Sequence, residues 1–210
     1  MKILRSVALM ALSLAFLGEA DAVVTKKDPP RETALIETSL GTIEIELYRA
    51  DAPKAVENFV GLAKKKFFDG LRFHRVARGF VIQTGDPLSR DVKSIAKWGT
   101  GGKSIYGKEF EDELRPSAPS YRRGYARGVV AMANHGRNTN SSQFFILLAD
   151  APQMPKNYTI FGTVLQGMDV VDRIGGVELD PPYASDGRPK QDVFLKSITI
   201  RRSAPAKKAH

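Results

Sequence analysis

The 210-residue chain has no cysteine. That absence excludes disulfides, thiolate metal sites and a cysteine nucleophile together, so packing alone must hold the fold. Histidine is scarce as well. His74, His135 and His210 are the whole set, and none pairs with another at ligand spacing, so no zinc site and no other metal or cofactor is expected. Beyond Val7–Leu17 no long apolar run occurs, which leaves no candidate membrane span in the remainder. There is no internal repeat and no known nucleic-acid module.

What is present begins with a leader. Lys2 and Arg5 precede the Val7–Leu17 apolar run, which is too short to span a bilayer, and Ala20-Asp21-Ala22 is a small-x-small cleavage signal. Residues 1–22 therefore read as a secretory signal peptide, with a membrane-tethered N-terminus as the competing reading. Residues 23–33, opening VVTKKDPPR, read as a polar linker, residues 34–202 as one domain, and 203–210 as a basic, disordered tail. The net charge is +9. Its basic residues (Lys64–Lys66, Arg122-Arg123, Arg201-Arg202) are scattered and interleaved with acids, which favours a solvated surface over a nucleic-acid face.

Strand patterns dominate the domain. Ala34–Thr38 and Thr42–Leu47 flank Ser39-Leu40-Gly41, and Ile43, Ile45 and Leu47 alternate with Glu44 and Glu46, predicting a hairpin with one wet face. Asp51 is expected to cap a helix with Pro53 in its first turn and an apolar stripe of Ala55, Val56, Phe59, Val60 and Ala63. From Leu88 to Arg127 periodicity disappears, and the acidic residues Glu109–Glu113 read there as solvated. A phosphate loop at Gly99–Ser104 is rejected, because Lys97 stands where its first glycine would be. Strands resume at Gly128–Ala133, Gln143–Leu148 and Thr159–Leu165, followed by a helix at Asp169–Ile174 and a last strand at Val193–Arg201.

The organising stretch is Leu71–Pro87, LRFHRVARGFVIQTGDP. Period-two alternation places Phe73 and Arg75 on one face and His74 and Val76 on the other, and the turn at Ala77-Arg78-Gly79 leads to a second strand, Phe80–Gln83. An arginine sharing a face with an aromatic ring has two readings: a surface residue with a packed stem, or a donor aimed into a pocket.

The ordered set Phe73-His74-Arg75-Val76, Gly79-Phe80, Ile82-Gln83, Gly85-Asp86, Gly99–Gly107, Met132-Ala133-Asn134, Asn138–Ile146 and Phe161-Gly162 resembles the cyclophilins, a family of peptidyl-prolyl cis-trans isomerases, from Ala34 to Arg202. The resemblance implies a mainly β fold: a closed eight-stranded antiparallel barrel capped by two helices. It also implies a groove for proline-containing peptides and unfolded proteins, a monomer, and no metal or cofactor. By position, Arg75 matches the family's catalytic arginine and Gln83 the glutamine that steadies it. Phe80, Phe145 and Met154 match the walls of the proline pocket, with Val81 where methionine is usual. Ala133 and Asn134 match backbone partners of the peptide, and Gly99 and Gln143 line the neighbouring pocket. Three departures stand out: Gln153 in place of a common tryptophan, Tyr158 in place of histidine, and a longer loop between Asp86 and Gly99 carrying Trp98. The first two imply weakened binding of cyclosporin, the cyclic peptide that commonly inhibits the family.

The leader implies an exported isomerase, periplasmic or secreted, with a secretory-pathway lumen as the alternative. The runner-up function is a binding module that holds proline segments with little turnover. Asn140-Ser141-Ser142 and Asn157-Tyr158-Thr159 are glycosylation acceptor patterns which the resemblance places near the groove, favouring a bacterial compartment. N-terminal sequencing of exported material is expected to find Val23 first; an intact Met1 would overturn the signal-peptide reading.

Overall fold

The computed structural model describes residues 31–181 and 184–202. The expected signal peptide, most of the linker and the expected basic tail lie outside the described residues. β1 (Glu32–Thr38) and β2 (Gly41–Leu47) form the anticipated hairpin, with Ala34 opposite Ile45 and Ile36 opposite Ile43. Glu32 and Thr33 belong to this strand and not to a linker. The Glu32 carboxylate is 6% exposed and takes Arg49 at 2.7 Å and Arg202 at 3.3 Å, so paired charge allows the strand to start on a buried acid.

Helix α1 (Pro53–Lys64) buries Ala55, Val56, Phe59, Val60 and Ala63 as its stripe requires. Asp51 does not cap it. The Asp51 carboxylate accepts from the Ser120 N–H at 2.8 Å, and Ala52 occupies the cap position without a side-chain bond. The cap comes from Glu113, whose two carboxylate oxygens accept the Lys54 and Ala55 N–H groups at 3.1 and 2.9 Å. An acid there satisfies orphan donors and complements the positive end of the helix. The acidic run is therefore only partly solvated. Asp112 accepts from the Asn138 N–H at 2.9 Å and the Asn140 side-chain amide at 2.8 Å.

The remaining strands are β3 (Arg75–Ala77), β4 (Val81–Thr84), β5 (Val129–Met132), β6 (Phe144–Leu147), β7 (Ile160–Gln166), β8 (Leu179–Asp180), β9 (Asp186–Pro189) and β10 (Leu195–Arg202). Two further helices are α2 (Pro119–Arg123) and α3 (Met168–Gly175), and 3₁₀ turns occupy Pro87–Arg90 and Val92–Lys97. All strand pairing is antiparallel, in the order β10-β1-β2-β7-β5-β6-β4-β3-β9-β8. The expected eight strands and two helices thus become ten and three among the described residues. The additions, β8, β9 and α2, are two to five residues long and carry no apolar period to read. The residues before β3 bond to those entering β10: Leu195 N–H to Leu71 O at 2.8 Å, and Phe73 N–H to Val193 O at 2.9 Å.

Phe73 does not share a face with Arg75. It precedes the three-residue β3 and is 2% exposed in the main core, which Val76 also enters, while Arg75 turns outward. Strand alternation begins only at Arg75, so extrapolating it backwards fails.

That main core is aromatic at its centre. The Phe59 ring lies 5.3 Å from Phe68, 5.5 Å from Phe144 and 5.3 Å from Phe161. Such tilted and edge-on pairs contribute about 0.5–1.5 kcal/mol each beyond the area they bury. The central strands are buried on both faces. Ile82, Val130, Met132, Phe144 and Ile146 point into this core, whereas Val81, Val129, Ala131, Phe145 and Leu147 form a second apolar layer on the outer side. This doubling explains why β5 and β6 read VVAM and FFIL with no polar alternation.

Candidate active site

Strand register places the site residues in one row. Arg75 of β3 stands opposite Gln83 of β4, Gln83 opposite Phe145 of β6, and Phe145 opposite Ala131 of β5. Directly paired residues share a face of the sheet, here the outer one. Arg75 Nη1 donates to Gln83 Oε1 at 3.0 Å, and Gln83 Nε2 donates to Gln143 Oε1 at 2.9 Å. Gln143 Nε2 then donates to the carbonyls of Gly99 and Gly101 at 2.9 and 2.6 Å. Each amide uses its oxygen toward Arg75 and its nitrogen away from it, so the relay has one direction. Asp186 takes the other side of the guanidinium, accepting from Nε at 2.9 Å and from Nη2 at 2.6 Å.

Beside the guanidinium lies a pocket of about 640 Å³. It brings together Arg75, Phe80, Val81, Gln83, Gly99, Ala133, Asn134, Phe145, Met154 and Tyr158. A neighbouring polar pocket of about 690 Å³ shares Gln83, Gly99, Ala133 and Asn134 with it and adds Gln143. Gln153 is exposed and lies in the lining of neither. A third cleft of about 720 Å³, between the end of β2 and α2, holds none of these residues. Tyr158 is fixed by its backbone, which exchanges two hydrogen bonds with the Tyr125 hydroxyl at 2.9 and 3.0 Å. Its ring meets Phe145 edge-on at 5.5 Å and 84°.

The loop between Asp86 and Gly99 is closed by one carboxylate. Asp86 is fully buried; Oδ1 accepts from Leu88 N–H at 2.8 Å, and Oδ2 accepts from Gly99 N–H and from Gly101 N–H at 3.4 Å. Both ends of the insertion converge there. Gly85 precedes it at φ +95, where a Cβ would collide with the Ser142 carbonyl, so only glycine fits. Trp98 lines the pocket while its Nε1 donates to Asp91 O at 3.1 Å, and the Arg72 guanidinium sits between the Trp98 and Phe194 rings at 5.3 and 4.6 Å. Asp186, Arg188 and His74 also line the pocket, and the sequence reading assigned none of them to the site. His74 could have been suspected from its place beside Arg75. Asp186 and Arg188 carried no local signal.

A model of the cyclophilin type peptidyl-prolyl cis-trans isomerase/CLD family matches residues 33–200. Peptidyl-prolyl cis-trans isomerase-like 3 of Gallus gallus is 42% identical over 165 residues, which are 79% of this chain and 93% of that protein. Peptidyl-prolyl cis-trans isomerase CYP71 of Arabidopsis thaliana is 43% identical over 172 residues, 82% of this chain; the chain spans only 25% of that relative's length. Among solved structures, a Cryptosporidium parvum cyclophilin type peptidyl-prolyl cis-trans isomerase matches with a TM-score of 0.70 and 33% identity, over 81% of this chain and 98% of that one. The same protein has been crystallised in the presence of the dipeptide Ala-Pro.

His74 is 6% exposed, and both ring nitrogens are buried without a well-formed hydrogen bond, although the Gln143 side chain and the Arg72 backbone lie close enough to interact. Burial pushes its pKa from 6.5 down to about 4, only partly opposed by the Asp86 carboxylate. Between those values the unfolded chain binds the proton and the folded protein does not, so stability falls as pH drops through this window. Above it the effect is absent, and below it the loss levels off at about 3 kcal/mol. Urea unfolding of wild type and His74→Phe between pH 7 and 4 is expected to show a flatter acid limb in the variant. Parallel curves would assign the acid sensitivity elsewhere.

Proposed function

The chain belongs to the cyclophilin-type peptidyl-prolyl cis-trans isomerase family, and from that premise we propose that it catalyses rotation about X–Pro bonds with Arg75 as its catalytic donor. The observation that carries this reading is a guanidinium held on two sides beside an apolar slot formed by Phe80, Phe145 and Met154. Amide resonance imposes a rotation barrier of about 18–20 kcal/mol. For X–Pro the two isomers are close in energy and exchange over tens of seconds or more, so the difficulty is kinetic. In the twisted transition state resonance is lost and the proline nitrogen regains a lone pair. A fixed N–H directed there binds the transition state better than the planar ground state. Shortening a tens-of-seconds event to milliseconds requires about 10⁴-fold, or about 5.5 kcal/mol. A preorganised donor and a gripped proline ring are of the right size to supply it.

The substrates in this reading are proline-containing peptides and unfolded chains, with the polar pocket around Gln143 taking the neighbouring residues of an extended peptide. The sheet is read as a closed barrel of eight strands with the β8–β9 hairpin added at its margin, supported by the bonds from Leu71 and Phe73 to the β10 entry. The N-terminal leader supports an exported enzyme that assists folding of other exported proteins; that it acts as a monomer follows in this reading from the family resemblance.

Arg75→Ala is expected to lower kcat/KM in a protease-coupled isomerisation assay by about 10²–10³-fold, the scale of losing a preorganised donor. Arg75→Lys should rescue poorly, because a point charge lacks the planar fork. Near-normal turnover by a folded Arg75→Ala protein would refute the mechanism, and a wild type that binds proline peptides without turnover would favour the binding module.

Gln153 offers cyclosporin less rigid apolar area than an indole and loses more rotamer freedom on packing. Wild-type cyclosporin binding is therefore expected to be weakened by about 1–3 kcal/mol, the worth of a well-packed interface anchor, and Gln153→Trp should recover part of that affinity. Peptide turnover should change much less. Calorimetric titration of the two proteins decides it, and equal affinities would clear Gln153 of the effect.

A further inference from the structure

We infer that Asp186 is a positioning residue for isomerisation, acting through Arg75. The inference rests on the isomerase reading of this site and adds a residue to it. Asp186 accepts from Arg75 Nε at 2.9 Å and from Nη2 at 2.6 Å, a two-point grip that fixes the plane of the guanidinium as well as its position. Gln83 alone holds a single nitrogen, Nη1. An arginine on one hydrogen bond can pivot about it; on three it cannot. Of the five guanidinium N–H groups, Asp186 and Gln83 occupy three, leaving one on each Nη for a peptide in the adjoining pocket.

The β8–β9 hairpin delivers the carboxylate. β9 pairs with β3, placing Asp186 opposite Ala77 and Gly187 opposite Val76. Ala77 and Arg75 share a strand face, so Asp186 reaches Arg75 along the diagonal between neighbouring strands. Arg78 N–H to Ser185 O at 2.7 Å holds the approach to β9 against β3. The ion pair of Arg188 with Asp180 and the β8 ladder hold its far side. Arg75 and Asp186 are 40% and 46% exposed, so the pair adds little to global stability and its effect falls on orientation. Solvent at that exposure also screens the carboxylate's charge, limiting how far it blunts the guanidinium's pull on a developing lone pair.

The test uses the full chain, a short X–Pro peptide, and the variants Asp186→Ala, Asp186→Asn, Arg75→Ala and the Arg75→Ala/Asp186→Ala pair. Asp186→Ala is expected to lower kcat/KM about tenfold with an unchanged melting temperature. Asp186→Asn, which keeps one acceptor oxygen, should lose less. The double variant should match Arg75→Ala alone, since a residue acting only through Arg75 has nothing left to orient. Nitrogen-resolved NMR of the arginine side chains, with Arg75→Ala giving the assignment, should find a slowly exchanging Arg75 Nε–H in wild type that is lost in Asp186→Ala. Full activity of Asp186→Ala beside an active wild type would overturn this inference alone. A tenfold loss that persists in the Arg75→Ala background would also overturn it, assigning the effect to the hairpin. An inactive wild type would overturn the isomerase reading first, and the role of Asp186 with it.

Discussion

The site depends on a constraint of sheet register: Arg75, Gln83, Phe145 and Ala131 stand in one straight row across four neighbouring strands. A slip of one residue in any of these pairings would send that strand's side chains to the opposite face. The inner core opposes such a slip, because it would exchange Ile82 for Gln83 or Phe144 for Phe145. The packing of Ile82, Phe144 and Ile146 around Phe59 and Phe161 therefore holds the row of candidate-site residues in place from behind. Stability and function are linked by the pleat itself.

The same strands explain why a groove exists. β5 and β6 are apolar on both faces and β4 adds Val81 to the outer one; the buried outer layer of Val81, Ala131 and Phe145 is overlaid by Phe80, Met154 and Tyr158, which are themselves only partly buried. A partly open apolar patch of Phe80, Met154 and Tyr158 rimmed by Arg75, Gln83 and Asn134 suits a ligand with an apolar ring and flanking amides. Proline in a peptide is such a ligand. The polar rim is not loose, since each side-chain amide in the relay from Arg75 to Gly99 is committed in one direction.

Long-range carboxylates fasten the irregular parts. Asp86 gathers both ends of the insertion that carries Trp98, and Glu113 caps α1 from 58 residues away. Each replaces a ladder of backbone bonds that the loops cannot form on their own. The buried His74, which lacks a well-formed hydrogen bond, shows what such fastening leaves behind: a polar group enclosed between the Asp86 loop and the strand that carries Arg75.

The sequence by itself determined the elements whose periodicity repeats. The β1–β2 alternation and the apolar stripe of α1 appeared where they were read, and the ordered run from Phe73 to Gly162 pointed to the family. It also grouped Arg75, Phe80, Gln83 and Phe145, because all four sit in motifs of the family. Tertiary structure decided the rest. Asp51 and Glu113 both have the chemistry of a helix cap, and only the path of the long loop selects between them. Phe73 left the face of Arg75 because regular strand geometry starts after it. Asp186 lies 111 residues from Arg75, on a four-residue strand with no hydrophobic pattern of its own. Periodicity records which face of an element is buried. It carries no information about which distant backbone pairs with that element, and the partner of Arg75 is fixed by that pairing.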